Sequence, residues 1–120
     1  MPNPQPTPPT SSTPAQALAQ LKKYYFDLND NFATLVGQCT TDDQRNQVKN
    51  EFVVARDAYL KAQNQVLIDH DNTLAAMTKQ LGDLQKQIDN AISSAEQIAK
   101  ILQILATASG VAAKIVTTAT

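Results

Sequence analysis

The chain of 120 residues is long enough to form one domain with a core of its own. Ten basic and eleven acidic residues give a formal net charge of −1, so no global field attracts nucleic acid, and we expect no nucleic-acid partner. The single cysteine, Cys39, excludes an intrachain disulfide, and three glycines are too few for a phosphate-binding loop.

The amino-terminal segment, residues 1–13, holds five of the six prolines and no charged side chain. Proline fixes φ and removes a backbone donor, so we expect a disordered Pro/Ser/Thr-rich leader here. The segment lacks the basic and apolar regions of a Sec signal peptide, which predicts cytoplasmic residence by default. Uncharged leaders of this kind resemble those of bacterial proteins that are exported without cleavage, so non-classical export is the alternative.

The first helix is predicted over residues 14–36. Thr13 and Gln16 form a T-x-x-Q capping box around Pro14, and Gly37 is expected to end the helix in the left-handed conformation. Its apolar residues alternate at spacings of three and four, which is typical of a seam that packs against another helix. These residues are Leu18, Leu21, Tyr25, Leu28, Phe32 and Leu35.

A second helix is predicted over residues 42–69, after a connection so short that the chain should fold back antiparallel. Thr41 is the expected cap, with Gln44 completing another T-x-x-Q box. The same spacing of three and four recurs along this segment. The seam residues are Val48, Phe52, Ala55, Tyr59, Ala62 and Val66.

From Leu67 the seam starts again one residue out of phase and keeps its spacing to Val116. Two folds are compatible with this shift. In an antiparallel three-helix bundle the chain turns near 69–73 and the helices are about 14–36, 42–69 and 73–116, with 117–120 frayed. In a helical hairpin one long helix continues and dimerises, because the first helix is too short to cover it. Gly82 marks a second possible break.

The sequence shows no catalytic, cofactor-binding or metal-binding constellation. His70 is the only histidine, and no second histidine or clustered cysteine completes a ligand set with it. In the three-helix fold His70 and Cys39 lie at opposite ends of the second helix, which forbids a nucleophilic pair. We therefore expect neither an enzyme nor a cofactor.

The carboxyl-terminal segment is unusually apolar, since no charge occurs between Lys100 and Lys114. This run is too short to span a membrane as an ordinary transmembrane helix. Its apolar residues cover more than one seam, which indicates burial against two helices, self-association, or contact with a membrane surface through residues 98–116. The candidate interaction surface consists of Ile98, Ile101, Leu102, Ile104 and Leu105.

Long seams without accompanying chemistry favour a non-catalytic helical-bundle protein, structural or engaged in protein–protein interaction, with a protein partner or a second copy. The alternative is an exported, surface or membrane-active protein that uses its apolar carboxyl-terminal helix. A polar leader before a Gln- and Ala-rich helical hairpin resembles small bacterial helical proteins associated with secretion systems and cell surfaces. That resemblance implies a bacterial source.

Overall fold

The computed structural model describes residues 12–119, which fold into four α-helices without a strand. The helices are α1 (Thr13–Gln38), α2 (Asp42–Gln63), α3 (Thr73–Ser93) and α4 (Ile98–Thr118). The all-helical prediction is therefore confirmed for this part of the chain. Most of the predicted leader, residues 1–11, lies outside the described residues, and Thr13 already belongs to α1.

The helices form a bundle in which each helix has two neighbours. α1 packs beside α2 and α3, and α4 packs beside the same two helices. α2 is therefore diagonally opposite α3, and α1 is diagonally opposite α4. The short connections make α1–α2 and α3–α4 antiparallel hairpins. Gln20 on α1 bonds Gln85 on α3, and Gln47 on α2 bonds the main-chain oxygen of Leu102 on α4. The direction of the chain thus alternates from one helix to the next, and residues 64–72 cross one end of the bundle.

The predicted three-helix count is wrong, because the segment predicted as one helix over 73–116 is two helices. The chain reverses at residues 94–97, where Ala95 has a φ of 54°. The seam does not reveal this turn, since Ala91 and Ile98 are seven residues apart and a four-residue turn between them keeps the heptad count. Gly82 lies inside α3 and breaks no helix. Four helices in one chain also exclude the hairpin with one long helix.

The turn predicted near residues 69–73 is present, but α2 ends at Gln63 rather than at residue 69. Asp71 and Asn72 take positive φ values of 50° and 63°, a conformation that Asp and Asn tolerate better than most residues. The side chain of Asp69 then accepts a hydrogen bond from the main-chain nitrogen of Leu74 at 2.9 Å. This bond satisfies one of the free amides at the start of α3.

The ends of the helices partly follow the sequence signals. Thr41 caps α2 as predicted, accepting a bond from the main-chain nitrogen of Gln44. The cap of α1 is Ser12 rather than Thr13, so the helix starts one residue earlier than predicted. Gly37 is a helical residue, and α1 ends after Gln38 with extended backbone at Cys39. Residues 117–119 are not frayed as predicted. Ala119 is buried, and its main-chain oxygen accepts a 2.6 Å hydrogen bond from the main-chain nitrogen of Ile68.

The core differs in phase from the seam predicted for α1. Tyr24 is fully buried, whereas Tyr25 and Phe32 are only partly buried. A helix with two neighbours buries a wider arc than one with a single partner, so the centre of the buried arc moves toward the second neighbour. α4 buries the most: Ile101, Leu102, Leu105, Ala108, Ser109, Val111, Ala112, Ile115 and Val116.

Candidate interaction surface

The candidate surface predicted on the carboxyl-terminal helix lies mostly in the core. Ile101 is 0% exposed, Leu105 1% and Leu102 4%, while Ile98 and Ile104 are partly buried against the same core. The broad apolar arc of α4 is accounted for by its two neighbours, α2 and α3. Of the three explanations that the sequence allows, burial against two helices is the one that this structure has for Ile101, Leu102 and Leu105.

α4 is the one helix in residues 12–119 that is long and apolar enough to cross a membrane by length and composition. The uncharged run alone is too short to span a membrane. The whole helix, which has a lysine near each end, is long enough. Half of its most apolar stretch is buried inside the bundle. Since core helices of soluble proteins share this length and composition, the property fits the burial observed.

One polar contact crosses the core between α1 and α4. The hydroxyl of Tyr24 lies 2.8 Å from Oγ of Ser109 and 3.4 Å from the main-chain oxygen of Leu105. Burial raises the pKa of Tyr24 above its ordinary value, so the phenol stays neutral. This hydrogen-bonded pair is uncharged and closed to solvent. It fixes α1 relative to α4 and offers no reactive group to a substrate.

The isolated histidine and cysteine do not meet. Cys39 is buried at the end of α1, where its thiol donates to the main-chain oxygen of Leu35, and His70 is exposed in the 64–72 connection. Between them runs α2, whose 22 residues extend about 33 Å. Among the described residues no group of three or more His, Cys, Asp or Glu side chains could hold a metal ion.

The aromatic side chains form a cluster along the outer side of the α1–α2 pair. Five of the six aromatic residues of the chain belong to it, and we call this cluster the aromatic face. Ring centroids of neighbouring members lie 5.3–6.2 Å apart with tilted or edge-on planes, within the range of favourable aromatic contacts. The members are Tyr25, Phe26, Phe32, Phe52 and Tyr59.

The aromatic face is open to solvent at Phe26, and its other four members are partly buried against the core. Phe26 is 47% exposed, and Leu60, which follows Tyr59 on α2, is 44% exposed. The ammonium group of Lys22 lies 5.5 Å from the centre of the Phe26 ring, a cation–π distance. Arg56 is exposed and stands one turn from Tyr59 along α2. An exposed aromatic ring beside cationic side chains, at the edge of a larger aromatic cluster, is typical of a binding surface.

Sequence reasoning placed four members of the aromatic face in the seams of the first two helices, where they were expected to be covered. They do meet between α1 and α2, but at the outer edge of that contact. The signal that could have revealed the face is the run Tyr24-Tyr25-Phe26. Three consecutive residues on a helix point in directions about 100° apart, so one narrow seam cannot bury all three rings.

A second feature is the groove between α1 and α3, which we call the α1–α3 groove. Two cavities of about 430 and 360 Å³ open along it, and both are lined by Lys23, Gln85 and Asp89. Gln85 is buried, and its Oε1 accepts a 2.6 Å bond from Nε2 of Gln20 across the groove. Most of the lining is polar and charged, but the larger cavity also reaches Phe26 and Lys22, so the groove and the aromatic face adjoin along α1.

Comparison of the chain with family models, with curated proteins and with solved structures gives no match, so its geometry alone supports a proposal about function.

Proposed function

We propose that this chain is a non-catalytic helical-bundle interaction protein and that its aromatic face binds an apolar helix of a protein partner. The observation that carries the proposal is the clustering of aromatic rings at the outer edge of the α1–α2 contact, where Phe26 is exposed. Aromatic side chains bury large areas at low entropic cost and dominate the energetics of many interfaces. Two adjacent helices also form a shallow groove of the kind that accepts a third helix.

The charges around the aromatic face indicate the character of the partner. Lys22 and Arg56 lie on or beside it, and Asp30 lines the same cavity as Phe26 and Lys22. A partner helix with apolar anchors, acidic residues facing Lys22 and Arg56, and a basic residue facing Asp30 complements this arrangement. Such pairing predicts that binding weakens as the salt concentration rises, because the rim charges are exposed and screened.

Replacing two exposed apolar side chains of this region, in the variant Phe26→Ser/Leu60→Ser, is expected to weaken partner binding about tenfold or more. Both side chains are over 40% exposed, so the variant should keep its helical content and unfolding midpoint. The measurement is the dissociation constant for the captured partner, with light scattering on the free protein to detect self-association.

The matched control is Ile68→Ser, since Ile68 is 48% exposed and Phe26 is 47% exposed, but Ile68 lies in the 64–72 connection. The control is expected to bind like the wild type. Equal binding by all three proteins, or an equal loss in both variants, would contradict a role for the aromatic face. A concentration-dependent dimer that Phe26→Ser/Leu60→Ser abolishes would identify a second copy as the occupant and overturn the partner proposal.

The second candidate function is contact with a membrane, made by α4 after it leaves the bundle. The length and apolarity of α4 support it. The variant Gln103→Glu/Thr107→Glu places two charges on the exposed side of α4, where the bundle tolerates them and hydrocarbon does not. We expect wild-type protein to sediment with anionic vesicles and this variant to remain soluble.

The charge-matched control for that experiment is Gln80→Glu/Gln87→Glu, because both glutamines are exposed on α3. It adds the same two charges without touching α4 and is expected to sediment like the wild type. Wild-type protein that ignores the vesicles, or equal loss in both variants, would exclude insertion of α4.

A further inference from the structure

Two carboxyl groups face each other across the α1–α3 groove. Asp27 on α1 and Asp89 on α3 line the same cavity, and their side chains are within hydrogen-bonding reach. Oδ2 of Asp27 is out of contact with water, and no donor among the described residues reaches it. Its Oδ1 accepts a 3.3 Å bond from Nδ2 of Asn31. Two ionised carboxylates offer only acceptors to each other, so a proton on one of them is what can satisfy the buried oxygen.

The surroundings of Asp27 favour its protonated form. Burial raises the pKa of Asp27 to about 7, with the neighbouring Asp89 and Asp30 carboxyls acting in the same direction and Lys23 opposing them. On α3, Lys86 lines the adjoining cavity. On the core side the neighbouring titratable groups are Tyr24, which is neutral, and Glu51 of α2 behind it. Lys22 of α1 also lines this cavity, so charges of both signs surround Asp27, and burial is the largest cause of its raised pKa.

We propose that Asp27 and Asp89 share one proton that holds the α1–α3 groove closed, and that its loss as the pH rises loosens α1 from α3. The contact between these two helices is the least extensive of the four contacts between neighbouring helices. It also contains both cavities of the groove, so little apolar packing opposes the separation of the two carboxylates.

The direction of the pH effect follows from linkage. A carboxyl group that is protonated in the folded state and ionised in the unfolded state makes folding take up a proton. Stability from this pair is complete below the ordinary pKa of Asp, about 4, declines as the pH rises, and is lost above about 7. Burial of Glu51 raises its pKa and adds an effect of the same sign, so the contribution of Asp27 has to be isolated by substitution.

In the full chain, Asp27→Asn is expected to reduce the decrease of the thermal unfolding midpoint between pH 5 and pH 8. The amide of the introduced asparagine donates to Asp89 at every pH. At pH 8 this variant should unfold about 4–8 °C above the wild type. The control Asp57→Asn removes a carboxylate from an exposed position of α2, outside the groove, and should keep the wild-type slope. A slope in Asp27→Asn as steep as that of the wild type would overturn the proposal.

A carbon-detected NMR titration measures the pair directly. The carboxyl carbon of Asp27 is expected to titrate near pH 7 in the wild type, and at lower pH in Asp89→Asn, which removes the neighbouring charge. Hydrogen exchange of α1 and α3 amides, corrected for the intrinsic rate, should increase from pH 6 to pH 8 in the wild type only. A midpoint near 4 for Asp27, or one that Asp89→Asn leaves unchanged, would show that no proton is shared.

Discussion

Leu81→Ala is expected to lower the free energy of unfolding by about 2–5 kcal/mol. Leu81 is 0% exposed in the middle of α3, where its side chain belongs to the common core of the bundle. The substitution removes buried methyl groups and leaves a cavity that rigid neighbouring helices fill only in part. Urea unfolding followed by circular dichroism at 222 nm measures the loss.

Leu84→Ala is the matched control, because it makes the same change on the same helix one turn later. Leu84 is only partly buried, so its truncation returns less apolar surface to water and leaves no closed cavity. We expect a loss of under about 1.5 kcal/mol. Both leucines lie in the seam that the sequence predicts between Leu67 and Val116, and that pattern alone does not distinguish them. Equal losses would contradict the difference in burial between the two positions.

Tyr24→Phe is expected to cost about 1–3 kcal/mol, although it removes a single oxygen. The hydroxyl of Tyr24 is the 2.8 Å partner of Ser109 in the core. Without it, Oγ of Ser109 retains only a long 3.5 Å contact with the main-chain oxygen of Glu51. A buried hydroxyl that loses its partner carries the cost of its desolvation into the folded state.

The control for this prediction is Tyr59→Phe. The hydroxyl of Tyr59 accepts a 2.7 Å bond from Nε2 of Gln63 at the surface, where water replaces a lost partner. Its removal is expected to change the free energy of unfolding by less than about 0.5 kcal/mol. The same urea titration serves both variants. An unchanged free energy of unfolding in Tyr24→Phe would show that the Tyr24–Ser109 contact does not hold α1 against α4.

Local signals of the sequence predicted much of the secondary structure. The Thr41 cap of α2 and the start of α3 at Thr73 follow from side chains that bond nearby main-chain groups, and such bonds need no tertiary context. The reversal at residues 94–97 could not be found in the same way. Its turn preserves the heptad spacing, and Ala95 is not a residue that signals a positive φ.

The candidate surface was less accessible to sequence reasoning than the helices. Periodicity identifies side chains that lie on one face of a helix, but it does not say how many neighbours cover that face. Ile101 and Leu105 on α4 are covered by two helices, so the apolar arc that suggested a surface is core. Phe26 lay outside the predicted seam, and it is the most exposed member of the aromatic face.

The most direct test of the proposed aromatic face is photo-crosslinking from single positions in the full chain, in extract of its native cells. Benzoylphenylalanine replaces Phe26 in one protein and Thr107, an exposed residue of α4, in the other. We predict a discrete protein adduct from position 26 that excess wild-type chain competes away, and none from position 107. An adduct from position 107 alone, or the same adduct from both positions, would contradict binding through the aromatic face.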